Sequence, residues 1–215
     1  MTAKTDNHDP RAKLELRRYF LRKYHADEPP DVLDCCQGGG LLWRKLREEF
    51  RVRSYWGVDL KPKKGRLKLD SVRILQQAGW PQNVVDVDTY GSPWKHWAAM
   101  LPNITQPTTV FMTMAWVVAS FQQYDRVAMQ AMKMPANIQK KAPKSILAAM
   151  TRFATPWLLC MGTEVSITVI EAVEAESTGN ARYIGVRLEP QTATAGVVTR
   201  PQPQHPIAVK EQSHV

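Results

Sequence analysis

Val32-Leu33-Asp34-Cys35-Cys36-Gln37-Gly38-Gly39-Gly40 carries a short apolar segment into an acid and then into three glycines. Leu41-Leu42-Trp43-Arg44-Lys45-Leu46-Arg47-Glu48-Glu49-Phe50 follows with helical periodicity, so the whole reads as strand, tight loop and helix. Glycine lets a backbone lie against a ligand where any Cβ would clash. Ser54-Tyr55-Trp56-Gly57-Val58-Asp59 is a second strand with its acid at the carboxyl end, the edge on which doubly wound sheets bind ligands. An acid there accepts hydrogen bonds from both hydroxyls of a ribose. Asp34, Gly38, Gly40 and Asp59 thus outline a pocket for an adenosine-bearing cofactor.

Two cofactor classes share that outline. A dinucleotide site wants G-x-G-x-x-G, whose third glycine lets helix and strand pack closely, and the third position here is Trp43. A methyl-donor site wants an acid ahead of the glycines, as in D-x-G-x-G-x-G, and Asp34 to Gly40 matches with Cys36 in place of one glycine. In this register the chain resembles the class I S-adenosylmethionine-dependent methyltransferases. The resemblance implies an α/β, Rossmann-like fold, with a mostly parallel seven-stranded sheet ending in a C-terminal antiparallel hairpin. It also implies S-adenosylmethionine as cofactor, with Asp34, Gly38 and Gly40 on the methionine side and Asp59 on the ribose. Leu67-Lys68-Leu69-Asp70-Ser71 ends a strand-like run in an acid before a helical stretch from Val72 to Gly79. The family holds an adenine-contacting residue at this place, which makes Asp70 a candidate. The alternative is that Asp70 or Ser71 only caps that helix.

Asn83 to Trp94 alternates apolar residues and then stops at Asp88-Thr89-Tyr90-Gly91-Ser92-Pro93, as a strand does when it delivers side chains to a pocket mouth. A methyl acceptor would sit there. The lone pair of an exocyclic base amine is delocalised into the ring, so a site for it should accept the N–H protons and hold the nitrogen in line with the methyl group. Asp88 can accept, and Tyr90 can stack on a base. The string Asp86 to Pro93 is similar to the D-x-D-P-[YF]-G-S-P motif of the tRNA guanine-N2 dimethyltransferases, matching at Asp86, Asp88, Tyr90, Gly91, Ser92 and Pro93 and departing at Thr89. The resemblance places Asp88, Tyr90 and Pro93 at the acceptor. A plain β-turn with Tyr90 as core is the alternative.

The chain of 215 residues has 29 Lys and Arg against 20 Asp and Glu, a net charge of +9, which favours polyanionic partners, RNA or DNA. Arg11, Lys13, Arg17, Arg18, Arg22 and Lys23 decorate an N-terminal helix, Lys61 to Lys68 form a second cluster, and Lys140, Lys141 and Lys144 a third. A lysine run is otherwise simply a solvated face. Trp43, Trp56, Trp116 and Trp157 read as core, whereas Trp94 and Trp97 flank the turn at Pro93 and could border a base pocket, with core the expectation for most of the tryptophans. His96 beside them is a conceivable proton acceptor. Three cysteines form neither a C-x-x-C pair nor a zinc spacing, so no metal is expected and a reducing, cytoplasmic setting is. No apolar stretch suits a signal peptide or a membrane span, and no membrane partner is expected.

Thr108 to Met114 reads as a fifth strand; Val165 to Val173 and Arg182 to Leu188 alternate with period two and pair as a hairpin. Class I methyltransferases end their sheets so, and dinucleotide-binding domains do not. The expected organisation is a basic N-terminal helix over 1–29, a methyltransferase domain over 30–189 and a flexible tail over 190–215, rich in Gln, Thr, Pro and Ala. The function expected is transfer of a methyl group to a nucleic-acid base. Two alternatives stand: a non-catalytic nucleic-acid-binding protein on the same scaffold, and a methyltransferase for a protein or small molecule.

Overall fold

The computed structural model describes residues 10–62, 67–89, 93–115, 165–175 and 181–191. In chain order these form α1 (Pro10–Tyr24), β1 (Asp31–Asp34), α2 (Leu41–Glu49), β2 (Ser54–Asp59), β3 (Leu67–Lys68), α3 (Ser71–Leu75), β4 (Val84–Val87), α4 (Trp94–Met100), β5 (Thr108–Ala115), β6 (Ile167–Ala175) and β7 (Ala181–Pro190). The strands make one seven-stranded sheet in the order β3-β2-β1-β4-β5-β7-β6. Pairing is parallel from β3 through β5. β7 then runs antiparallel to both β5 and β6, so the C-terminal hairpin expected from sequence closes the sheet.

Side chains alternate across a strand, and that alternation divides the core in two. Val32, Val84, Phe111 and Tyr183 face α1 and α2, where they pack with Phe20, Leu21, Trp43 and Leu46. Leu33, Val85, Val87, Val110 and Ile184 face the opposite layer, with Leu75 of α3 and Trp97 and Met100 of α4. The innermost strands are covered on both faces, which is why β1 and β4 read as nearly unbroken apolar runs interrupted only by acids. Trp94 and Trp97, for which a pocket border and the core were both open, are buried in this second core.

The helices begin where local chemistry allows. Gly40, the residue before α2, has φ of 64°, a left-handed conformation that glycine adopts without penalty. Pro10 opens α1 with its fixed φ and no amide proton to leave unpaired.

α1 lies against β7 and β6. Its closest approach is at Gly185, where a Cβ would stand 2.4 Å from the Phe20 ring. Phe20 in turn meets Phe111 edge-on, with centroids 5.7 Å apart, so the ring has little room to retreat. Gly185→Ala should therefore cost about 1–3 kcal/mol through overpacking. The expected result is a lower midpoint of urea unfolding with an unchanged slope.

Candidate functional site

The period of two also decides which side chains meet at the carboxyl ends of the strands. On β4, Asp86 and Asp88 follow Val84 on the face turned toward α1 and α2; on β1, Asp34 follows Val32 onto the same face. The loop after β1 is stitched to both neighbouring strands, since Cys35 N donates to Asp86 O at 2.8 Å and Gln37 N to Val58 O at 3.0 Å. Asp59, ending β2, accepts from Gly38 N at 2.9 Å and from Lys61 N at 2.8 Å. Sequence reasoning put Asp34 and Asp59 at one site, and the structure brings them together. The field of Asp34, Asp88, Asp59 and Asp86, with burial as the larger effect, raises the Cys36 thiol well above its ordinary pKa. All four carboxylates thus act on this one thiol.

The two departures from motif have physical explanations. Among the described non-glycine residues only Ser166 has a positive φ, so the backbone at Cys36 accepts a Cβ, and the side chain packs against the core. Thr89, standing where proline was expected, donates its hydroxyl to the Thr113 carbonyl on β5 at 3.3 Å. Pro93 is buried ahead of α4, while Tyr90, Gly91 and Ser92 lie outside the described residues.

Asp34 is nearly buried and accepts the Tyr55 hydroxyl at 2.7 Å; Gln37 Nε2 donates to the same hydroxyl at 3.1 Å. This cluster needs Gly57, because a Cβ there would fall 2.1 Å from Gln37 Nε2. Gln37 Oε1 is buried with no hydrogen-bond partner among the described residues. Burial first, and then the charge of Asp86, push the Asp34 carboxyl up to about 8; the Tyr55 hydrogen bond opposes them, and Asp88 and Arg17 add weaker effects of opposite sign.

Asp86 is held by Arg17, whose Nε and Nη2 donate to its two oxygens at 2.7 Å each, and both side chains are only 1% exposed. Trp43 Nε1 donates to Asp86 Oδ2 as well, at 2.7 Å. Burial alone would lower the Arg17 pKa, yet the Asp86 carboxylate outweighs it and keeps the guanidinium charged. One turn earlier on α1, Lys13 Nζ donates to both Asp88 oxygens, at 2.6 and 2.8 Å. Lys13 and Arg17, expected on a basic outer face, are therefore internal; sequence reasoning missed both. A signal was available, since the apolar stripe of Leu14, Leu21 and Tyr24 is flanked on the helix by positions 13 and 17.

Asp70 Oδ1 accepts from Val72 N at 3.0 Å and so caps α3, as the alternative reading had it. It also borders a concavity of about 420 Å³ lined largely by apolar atoms, with Leu60, Leu69 and Ile74 among its walls. Both properties are compatible, because Asp70 Oδ2 is free of the cap. His96 sits behind the cap, its Nε2 within 2.9 Å of Ser71 Oγ, and burial lowers its pKa to about 4, so it is neutral at physiological pH. Among the described residues no cluster of His, Cys, Asp and Glu suits a metal ion. No described helix is long and apolar enough to cross a membrane. Lys63, Lys64 and Arg66, the Lys140 to Lys144 cluster, Trp116, Trp157, Cys160 and the tail from 192 onward lie outside the described residues.

No family model matches the sequence, and no curated protein matches it. Solved structures do. The complex of Trm1 from Pyrococcus horikoshii with S-adenosyl-L-methionine superposes with a TM-score of 0.57 at 14% identity, covering 85% of this chain and 56% of that one. The plantazolicin methyltransferase BamL, in complex with a triazolic desmethylPZN analog and SAH, gives a TM-score of 0.51 at 11% identity, covering 86% of this chain and 88% of that one. The chain thus spans little more than half the length of the first of these. At such identities the likeness is one of fold, and the fold is the Rossmann-like α/β fold of the class I methyltransferases.

The raised pKa of Asp34 has a consequence for stability. An unfolded aspartate titrates near 3.9, so the folded chain holds a proton that the unfolded chain has lost between about pH 4 and about pH 8. Stability contributed by that proton falls as pH rises through this window. Asp34→Asn, which can still accept from Tyr55, should match the natural chain in Tm near pH 4 and exceed it at pH 8, by about 2–4 °C per kcal/mol relieved. Thermal melts across that range read the difference.

Proposed function

We propose that the chain is an S-adenosylmethionine-dependent methyltransferase acting on a nucleic-acid base, with an exocyclic amine as acceptor. The observation that carries this reading is the convergence of the ends of β1, β2 and β4 on the glycine loop, with Cys35 N bonded to Asp86 O, Gln37 N to Val58 O and Gly38 N to the Asp59 carboxylate. Such a gathering fits the cofactor. Each Asp59 oxygen has given one lone pair to a backbone amide and keeps another for a ribose hydroxyl. The ammonium of the methionine moiety pairs with Asp34 once the carboxyl gives up its proton, a loss that an adjacent cation favours, and the orphaned Gln37 Oε1 beside it suits a further donor. Gly38 and Gly40 keep the loop free of side chains, and Asp70 with the apolar walls of its concavity suits a purine edge. Bound there, S-adenosylmethionine supplies an electrophilic methyl group.

The chain itself does the remaining work. Asp88, the first residue past β4, accepts an amine N–H and directs the nitrogen's lone pair. Burial would raise its carboxyl, but Lys13 and Arg17 outweigh that and hold it below the ordinary value, so it is an acceptor throughout the neutral range. Tyr90 stacks on the base and Pro93 shapes the turn. Fixing nucleophile and methyl group in line is worth ~7–11 kcal/mol in favourable cases. Exposed Arg44, Lys61, Lys68 and Lys95 follow the strand ends in sequence and so rim this edge of the sheet, which supports a polyanionic substrate; the cytoplasm is the matching compartment.

Two measurements test the reading. Calorimetry with S-adenosylmethionine should give saturable binding that Asp59→Ala weakens roughly tenfold or more, as loss of hydrogen bonds to a charged group does. Labelled methyl should pass from cofactor to total RNA or unmethylated DNA, appearing in one nucleoside. Asp88→Asn should lower transfer roughly 100-fold or more with cofactor affinity nearly intact; asparagine is preferable to alanine because it leaves Lys13 an acceptor. No heat at millimolar cofactor would make the chain a binding scaffold, and collapse of cofactor affinity in Asp88→Asn would move Asp88 into the cofactor site.

A further inference from the structure

We propose that Lys13 is a positioning residue of the acceptor site, holding the Asp88 carboxylate in one direction and in its anionic form, so that α1 belongs to the catalytic apparatus. This deepens the methyl-transfer reading and rests on it.

The geometry is a match of two spacings. Lys13 and Arg17 are four residues apart on a helix, ~6 Å along its axis. Asp86 and Asp88 are two apart on a strand, ~6.6 Å along it. Each cation therefore faces one carboxylate, and the lower pair fixes the register of the upper one. The two pairs differ in what they leave open. Arg17 and Asp86 are each 1% exposed and closed off by Trp43, so that pair has no capacity for a ligand. Lys13 is 5% exposed and Asp88 24% exposed, so Asp88 is the more open member of its pair and, unlike Asp86, is not closed off from solvent.

Lys13 is also held from below. Its Nζ lies 5.1 Å from the Tyr183 ring centroid, and Lys13 O accepts from Arg17 Nη1 at 3.0 Å. A lysine kept for solubility would extend to solvent; this one is directed inward at both oxygens of one acid. The groups facing Asp88 are Lys13 and Arg17 from α1, Asp34 from β1, the Cys36 thiol from the loop after it, and Asp86 from β4. Burial favours protonating Asp88, and Lys13, Arg17 and the Thr113 side chain of β5 oppose this. Without Lys13 the balance shifts toward the neutral acid, which cannot accept an N–H proton with the same oxygen.

The test compares Lys13→Met, Lys13→Arg and Phe20→Leu, the last loosening the docking of α1 without touching charge. With Lys13→Met, kcat should fall tenfold or more, cofactor affinity should stay within twofold, and the acidic limb of kcat/KM should move up by a pH unit or more. Lys13→Arg should restore most of both, and Phe20→Leu should lower Tm with the limb unmoved. In parallel, the carboxyl ¹³C resonance lost in Asp88→Asn should titrate at higher pH in Lys13→Met than in the natural chain. An unmoved limb or resonance in Lys13→Met, or an equal movement in Phe20→Leu, overturns the proposal. A natural chain that transfers no methyl group overturns the function proposed above; the carboxyl titration needs no turnover and distinguishes that failure from failure of the ion pair.

Discussion

The ion pair between Arg17 and Asp86 is the constraint around which the rest is arranged. A carboxylate in the middle of a parallel sheet, or a guanidinium under a helix, is costly unless each has the other. Removing one partner of such a buried pair commonly costs 3–5 kcal/mol, because the survivor keeps its charge without a counterion. Here the pair joins α1 to β4, and Trp43 adds α2 to the same oxygens. Three elements distant in sequence are thereby held in a single relative position. That position brings Lys13 to Asp88 and leaves Asp34 beside them with its proton.

Much of this was legible in the residues, and the limits are physical. Strand ends at Asp34 and Asp59, the glycine loop and the closing hairpin were all readable, because period two, acids at strand ends and positive-φ glycines are local properties. The pairing of Lys13 with Asp88 and of Arg17 with Asp86 was not, since it spans 75 and 69 residues. A basic residue on an amphipathic helix looks the same whether it meets water or an acid across the interface. Tyr55 illustrates the same limit: its sequence suggests only a strand position, and its role at Asp34 depends on Gly57 leaving room for Gln37. Trp94 and Trp97 stayed undecided because an aromatic near a proline turn fits a pocket rim and a helix core equally well from sequence; α4 turns both inward.

Charge takes on a different meaning once its location is known. A net charge of +9 includes two cations, Lys13 and Arg17, that are buried against acids. What remains for a polyanion is the exposed set along the strand ends. The acids of the site are compensated by α1 instead of by the solvent-facing lysines, so the outer rim is more positive than it would be if those acids drew on it.

The seat of α1 on β7 also bears on how the chain is made. Tyr19 and Glu171 touch across 152 residues, and Phe20 rests over Gly185. The helix is synthesised well before the strand that covers its aromatic stripe. At ordinary elongation rates of ~5–20 residues per second the stripe waits on the order of ten seconds or more for its partner. Contacts of such long sequence separation also form slowly, because the loop between them must first be closed. Nascent chains therefore pass through a stage with a wet, uncovered Phe20 and Leu21, a natural target for a holdase chaperone until the closing hairpin arrives.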